Sequence, residues 1–572
     1  MENFSRGRPN SYSVQLPVAG GTLDDAAARF SQKNYGGFLQ DTWKVSPRFS
    51  VVYGIRYDAP VISEKPTFNA AAAAPLVQAV VATNTRQSGG FGLDNRNTID
   101  GQNLFQPRVG FNYRLPDERP AQLRGGFGLF QGEAANVWLS NAFSNTGVAT
   151  RTIGCGGSFA SCALAGEGVF NADPTKQPTN FTGATPAANV DFLAPGLKQP
   201  AVWKANLAFE KELPWFGLVF GVEYLYTETE NALYYRHLNL GAPTRIGPDG
   251  RQLFYTAQGY NPACFTATGG TVTTGACTGF RTRALNNPNF NNVLATAKTG
   301  IGNGDVLTFS LGQPFKNGFA WTSAYTYSSA TEVSGLTSSV ANSNFNARAV
   351  LNPNDEVSSN SSYLVKNRVT TTLTWEKRFF GNLKTTFGIF YEGRSGKPYS
   401  WTFNNDANGD NVSGNDLLYV PSAFGSNQVA FFGDTATSRA NETRFWNVVN
   451  QYPELIRNRG GVVSRNSDFA NWTNSFDLRL SQELPGFFGK NKIVASLDMF
   501  NVGNLLNKKW GRINEVGFQG GGGQARSFVD YGGIDAQGRY VYIVRPTVEG
   551  YETRQVRGES QWAIQATVRY EF

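Results

Sequence analysis

The chain has 572 residues, with 51 Lys and Arg against 43 Asp and Glu, so its formal charge is +8. Charged residues make up 16 % and aromatics 13 %, with 43 Phe, 23 Tyr and 11 Trp, yet mean hydropathy is only −0.33. No stretch approaches the ~20 apolar residues of a spanning helix, which excludes a helical membrane protein, and the aromatic content argues against disorder. His237 is the only imidazole, so multi-histidine metal sites are excluded and a Ser-His-Asp arrangement has one candidate base, without a nucleophile-elbow motif. We expect His237 to be a loop or rim residue. The nearest approach to a phosphate loop, Gly388 to Ser395, carries Arg394 where lysine is required and lies inside a period-two run. It is a coincidence.

In chain order, Met1 to Ser5 has neither the basic start nor the apolar core of a secretory signal. Either the protein is cytosolic or this sequence lacks its true N-terminus. Residues 1–33 read as polar and irregular. From Tyr35 onward one pattern recurs: two alternating runs joined by a short turn, then a long polar stretch. The runs are Tyr35–Val45 with Phe49–Tyr57, Val109–Tyr113 with Leu123–Leu129, and Trp203–Glu210 with Phe216–Tyr226. Then come Leu307–Leu311 with Phe319–Tyr327, Val369–Trp375 with Leu383–Tyr391, and Phe476–Leu480 with Ile493–Met499. A last run, Gln561–Phe572, stands alone. Successive strand side chains point to opposite faces, so each run predicts one apolar and one small or polar face. Asp41 falls on the apolar face of the first run, and a bulge or register shift is expected there. No helix-period segment competes with this pattern.

Short turns alternate with long connections such as Gln131–Pro200, Thr227–Asp305 and Gly393–Trp472. A soluble repeat such as a propeller has no need of that asymmetry. Outer-membrane barrels have it: short periplasmic turns, long external loops, an apolar band outward and a polar lumen. Lipid offers no partner for a strand edge, so such a sheet must close. Trp43, Trp203, Trp321, Trp375 and Trp401 lie near strand ends and would form interfacial girdles. The fold class is therefore all-β, a transmembrane antiparallel barrel.

Two loop features carry chemistry. Cys155/Cys162 and Cys264/Cys277 form two local pairs in stretches without histidine. Four cysteines allow three connectivities, and zinc would need all four to converge; two local disulfides in an oxidising compartment is the preferred reading. Asp406, Asn408, Asp410 and Asp416 place oxygen ligands two residues apart within the 404–416 stretch, the spacing of a calcium loop. The segment resembles EF-hand and dockerin loops, although it lacks the glycine after Asp410 and reaches its closing acid one residue early. Asn, Gly and Asp also suit turns without any metal, and both readings stay open.

The terminal run alternates Trp562, Ile564, Ala566, Val568, Tyr570 and Phe572 with polar or small residues. An amphipathic last strand with Tyr570 and a final Phe572 resembles the signal read by the barrel-assembly machinery. Longer segments resemble TonB-dependent receptors of the Oar-like type. They are Phe38-Leu-Gln-Asp-Thr-Trp43-Lys with Tyr53-Gly-Ile-Arg-Tyr-Asp58, and Gln106-Pro-Arg-Val-Gly-Phe111 with Leu123-Arg-Gly-Gly-Phe-Gly-Leu-Phe130. Further on are Asn458-Arg-Gly460, Arg465-Asn-Ser467, Phe476-Asp-Leu-Arg-Leu480 and Asp498-Met-Phe-Asn-Val-Gly-Asn504. The resemblance implies a barrel of about 22 strands with a plugged lumen, energised through TonB. This sequence shows no plug, no TonB box and no leading carboxypeptidase-regulatory-like domain. The chain then reads as the C-terminal part of a larger receptor: 1–33 the remnant of an external loop, 34–572 about thirteen strands with their loops.

The partners implied are outer-membrane lipid and lipopolysaccharide, whose phosphates suit a positive surplus, the TonB complex through a plug outside this sequence, and an unidentified ligand held by the loops. Nucleic acid is not expected, because no basic cluster with interleaved aromatics is present. Transport leads; surface adhesion without transport is the alternative, and an enzyme is disfavoured by the lack of acid–base residues.

Overall fold

The computed structural model describes residues 12–155, 173, 176, 187–489, 491–519, 521–553 and 557–572. Its dominant element is one antiparallel sheet whose main path runs through thirteen strands in sequence order. They are β1 (Gln32–Ser46), β2 (Phe49–Ile62), β3 (Leu104–Arg114), β4 (Ala121–Gln131), β5 (Ala201–Glu212), β6 (Val219–His237) and β7 (Asn303–Lys316). The path continues through β8 (Phe319–Glu332), β9 (Asn367–Phe380), β10 (Leu383–Arg394), β11 (Thr473–Pro485), β12 (Lys492–Phe500) and β13 (Ala563–Glu571). These are the six expected hairpins and the lone last strand. No helix among the described residues is long and apolar enough to cross a membrane.

Register turns the alternation of each strand into two continuous faces. Tyr53 pairs with Val109 and Ile55 with Pro107. Farther along, Leu207 pairs with Tyr224, Ile389 with Leu478 and Leu497 with Ala566. Every one of these lies on the apolar face, where Phe127 stacks on Trp203 at 5.0 Å and Tyr391 meets Phe476 at 4.6 Å. The opposite face carries ion pairs: Arg124 to Glu210 and Glu223, Arg368 to Glu392, Arg479 to Asp498, and Lys492 to Glu483. A sheet apolar on one side and charged on the other suits a wall between lipid and an aqueous lumen.

Asp41 causes no bulge. It pairs in register with Tyr53, and the shift in this hairpin falls between Lys44 and Ser46. The Tyr53 hydroxyl donates to Asp41 at 2.8 Å, so one polar side chain is satisfied across the strand without distorting the backbone.

One end of the sheet has tight turns. Asn317 and Gly318, both at positive φ (54° and 80°), form the two-residue β7–β8 turn, the backbone twist that joins antiparallel strands without splaying them. A Cβ at Gly318 would lie 2.3 Å from the Glu376 carbonyl oxygen, so this glycine is needed for space as well as for φ. The other end carries the long connections. There β6 changes partner: its pairing with β7 ends at Glu228, and Ala232–His237 pairs with the strand Phe290–Thr299. That strand in turn pairs in parallel with Ala188–Leu193. Residues before β1 are not wholly irregular either, since Tyr12–Pro17 forms a strand against Thr150–Cys155.

The two ends of the thirteen-strand path do not pair with each other among the described residues. Among the described residues β1 has no partner but β2, and β13 none but β12. Leu39 is 77 % exposed and Phe38, on the opposite face, 74 %.

The two faces should respond differently to charge. Leu478→Arg is expected to cost about 2–4 kcal/mol near the bilayer midplane, with a smaller loss for Phe220→Arg beside the β5–β6 turn. Glu223→Gln should be close to neutral. Refolding titrations in lipid vesicles measure this, and equal tolerance at Leu478 and Glu223 would contradict the assignment of faces.

Candidate functional site

The long connections do not behave as polar loops. They fold into a cap with its own core, drawing Leu253, Tyr255 and Phe265 from the β6–β7 connection and Trp401, Phe403, Leu418, Phe445 and Leu455 from β10–β11. Phe528, Tyr531, Tyr540 and Tyr542 come from β12–β13. Trp401, expected in an interfacial girdle, is fully buried here. It packs on Tyr452 at 4.7 Å and on Phe528 at 5.8 Å, and its indole N–H donates to Asp468 at 3.0 Å. The Arg526 guanidinium lies over Trp401, Tyr452 and Tyr551 at 5.0, 5.1 and 4.6 Å from the ring centres. The cap also holds a helix, α1 (Ala440–Val449), which buries Glu442, Phe445, Trp446 and Val449. That is helix spacing, and the sequence reading passed over it.

Cys264 and Cys277 form the expected disulfide inside this cap. The second pair is outside the described residues at Cys162 and at the Cys155 side chain. His237 is no rim residue. It is buried at the top of β6, where its Nδ1 accepts from the Asn239 amide and its Nε2 faces Arg283 at 3.0 Å. Burial and the Arg283 charge push its pKa down to about 3, so it stays neutral.

Asp406, Asn408, Asp410 and Asp416 come together in one buried turn of the cap. Asp406 accepts from the Gly409 and Asn411 amides at 2.6 and 2.9 Å, Asn408 from Asp410 at 2.7 Å, and Asp410 from Val412 at 2.8 Å. Asp416 is held by Arg251 at 2.9 Å and by the Ala407 amide at 2.7 Å. Arg251 also meets Asp249 at 3.1 Å, and Tyr540 closes the network on Asp249 at 2.7 Å. Burial, then the charges of Asp410 and Asp416, drive the Asp406 carboxyl well above its ordinary pKa. Burial and Asp416 push Asp410 up to about 7. Among the described residues no three His, Cys, Asp or Glu side chains already stand at metal-ligand spacing. The absent glycine after Asp410 is answered by Asn411, which adopts φ 72°. Asparagine is among the few residues that enter the left-handed region readily.

A recess of ≈ 530 Å³ opens beside this core. It is lined by Tyr363, Lys397, Arg465, Glu515, Phe518 and Gln524, from three different connections. Lys397 pairs with Glu515 at 3.1 Å, and Tyr363 is largely exposed at its edge. Nothing in sequence spacing marks these residues as neighbours. On the last strand Tyr570 stacks on Phe487 at 5.9 Å, and Phe572, one residue past its end, is fully exposed.

Residues 1–516 match the family described as outer membrane beta barrel domain. The chain belongs to that family. Its place is the outer membrane of a Gram-negative bacterium. Among solved structures it is similar to the outer membrane transporter YddB from Escherichia coli, at 10 % identity and TM-score 0.40, covering 94 % of this chain and 45 % of that one. The FrpB iron transporter from Neisseria meningitidis matches at 10 % identity and TM-score 0.38, over 95 % and 46 % of the two chains. A ferric enterobactin receptor mutant (PfeA) from Pseudomonas aeruginosa matches at 11 % and 0.37, over 94 % and 45 %. The chain thus spans less than half the length of these structures. No curated protein sequence matches it.

The Cys264–Cys277 bridge closes a segment of 13 residues, and such a closure contributes on the order of 3 kcal/mol at most. The Cys264→Ser, Cys277→Ser double variant should open the cap around 257–285 to protease while leaving the β-sheet circular dichroism unchanged. Loss of the sheet signal would contradict an independent cap.

Proposed function

We propose that this chain is the barrel part of a TonB-dependent receptor of the Oar-like type, moving a bulky ligand captured by the external cap. The observation that carries the reading is the sheet itself: a two-faced wall of thirteen strands in order, left open at β1 and β13. A lone wall of this kind strands backbone groups in lipid at several kcal/mol each. Further strands, outside this sequence, would complete it, and the resembling segments around Phe38–Trp43, Arg465–Ser467 and Asp498–Asn504 favour a receptor as the whole.

In this reading the ligand enters through the cap, and the recess at Lys397, Arg465 and Glu515 is its first contact. Mixed charge beside the exposed Tyr363 suits a large polar ligand. Tyr570 and Phe572 address the chain to the barrel-assembly machinery, TonB engages a plug carried elsewhere in the gene product, and no step requires catalysis by these residues. Adhesion without transport is favoured by one observation, that the loops are packed on a shared core and present a fixed surface.

Binding to TonB separates the two. The full-length gene product, purified from outer membranes, should be retained by the immobilised periplasmic domain of TonB and released when the segment preceding its plug is deleted. No plug and no retention would overturn transport in favour of adhesion.

A further inference from the structure

Two buried carboxylates, Asp410 and Asp416, the half-buried Asp406 and two buried amides meet in the turn 406–416, and its balance of partners is incomplete. Asn408 is 0 % exposed and its Nδ2 has no hydrogen-bond partner; Asn415 is 1 % exposed and its Oδ1 has none. The Asn415 amide lies against the cluster, because its Nδ2 donates to Asp410 at 3.2 Å. Its oxygen, two bonds from that nitrogen, has no donor beside these carboxylates. A buried acceptor with no donor is costly, and so are like charges taken out of water together. Arg251 pairs with Asp416 and Asp249, and the Arg283 charge acts on Asp406 and Asp410 without forming an ion pair with either. One species satisfies both deficits: a hard cation, which takes carboxylate, amide and carbonyl oxygens alike.

We propose that this turn binds Ca²⁺, with Asp406, Asn408 and Asp410 as side-chain ligands, the Asn415 oxygen beside them, and the Val412 carbonyl supplying the backbone oxygen. Asp406, Asn408, Asp410 and Val412 occupy the first, third, fifth and seventh positions of a calcium loop. The sixth, where such loops need a glycine, is Asn411 at φ 72°. The Asp406 carboxylate accepting from the Asn411 amide fixes the turn in place. Asp416, tied to Arg251, is the outer anchor. Because the oxygens are not yet gathered, the ion would draw them inward, as a flexible six- to eight-oxygen shell permits and the rigid octahedron of Mg²⁺ does not.

The position of the turn gives binding a consequence. The Asn408 carbonyl accepts from Phe254 at 2.6 Å and the Gly409 carbonyl from Arg283 at 2.8 Å, both in the β6–β7 connection. The Asn415 carbonyl accepts from Val350 at 2.8 Å, in β8–β9. Asn404, just before the turn, donates to Asp530 at 2.7 Å, in β12–β13. An ion here would lock four connections at once, so calcium orders the cap that the proposed ligand must enter.

Tb³⁺ is the probe, because the Tyr255 hydroxyl donates to the Asp406 carbonyl at 2.6 Å and can sensitise a lanthanide in the turn. With the protein purified from outer membranes into detergent, Tb³⁺ emission excited through tyrosine should rise to saturation. Ca²⁺ should displace it, and equal Mg²⁺ should not. Removing Ca²⁺ with a chelator should expose the cap to protease while the sheet stays protected. The Asp406→Asn, Asp410→Asn double variant should lose the displaceable emission. Asn411→Gly, which restores the usual residue at a left-handed position, should keep it, so a folding failure cannot mimic the expected result. No Ca²⁺-displaceable emission from the unaltered protein, or full emission from the double variant, would overturn the proposal.

Discussion

Hydrocarbon offers a peptide group nothing to bond to, and the sheet is organised by that one constraint. Within lipid every N–H and C=O must be met by a neighbouring strand. Sequence-order pairing with two-residue turns, as at Asn317–Gly318, is the simplest way to meet it over a long chain. The same constraint segregates the faces. Side chains that share a face with Leu207, Ile389 and Leu497 meet lipid, while Arg124, Glu223 and Arg479 stand where water and counter-charges are available. Asp41, a charge on the apolar side, is tolerated because Tyr53 provides a hydroxyl directly opposite.

Above the membrane the constraint lifts, and the chain folds by ordinary globular rules. Connections from different hairpins bury Trp401, Phe445, Phe528 and Tyr542 against one another, with charged groups admitted only when networked, as Arg251 is with Asp249 and Asp416. The upper part of β6 belongs to both regimes: its lower residues pair in the wall, its upper residues in the cap. The cap is thereby fixed to the wall.

The wall was legible in the sequence because period-two alternation survives in every spanning strand, whatever its neighbours. All thirteen strands can be read from runs such as Phe220–Tyr226 or Ile493–Met499. The cap was not, since its contacts join residues as distant as Arg251 and Asp416, or Trp401 and Phe528, with no local period to show it. Trp401 looked like a girdle residue because an aromatic near a strand end is the same letter in either role. The helix α1 carried a readable spacing at Phe445, Trp446 and Val449, hidden among Asn, Glu and Arg. The turn at 406–416 was recognised from its oxygen spacing. That Asn411 could replace the glycine, and that Asn415 would join the cluster, needed backbone angles and burial.

The central claim is that β1 and β13 face other strands and not each other. Disulfide trapping in the outer membrane tests it, with one cysteine at Gly37, Leu39 or Asp41 on β1 and one at Ala566 or Val568 on β13. A pair across Ala495 and Val568, partners on β12 and β13, is the positive control. The account predicts efficient cross-linking of the control and none between β1 and β13. Cross-linking of β1 to β13 with the control's efficiency would mean that thirteen strands close on themselves, and the wall would be a complete barrel.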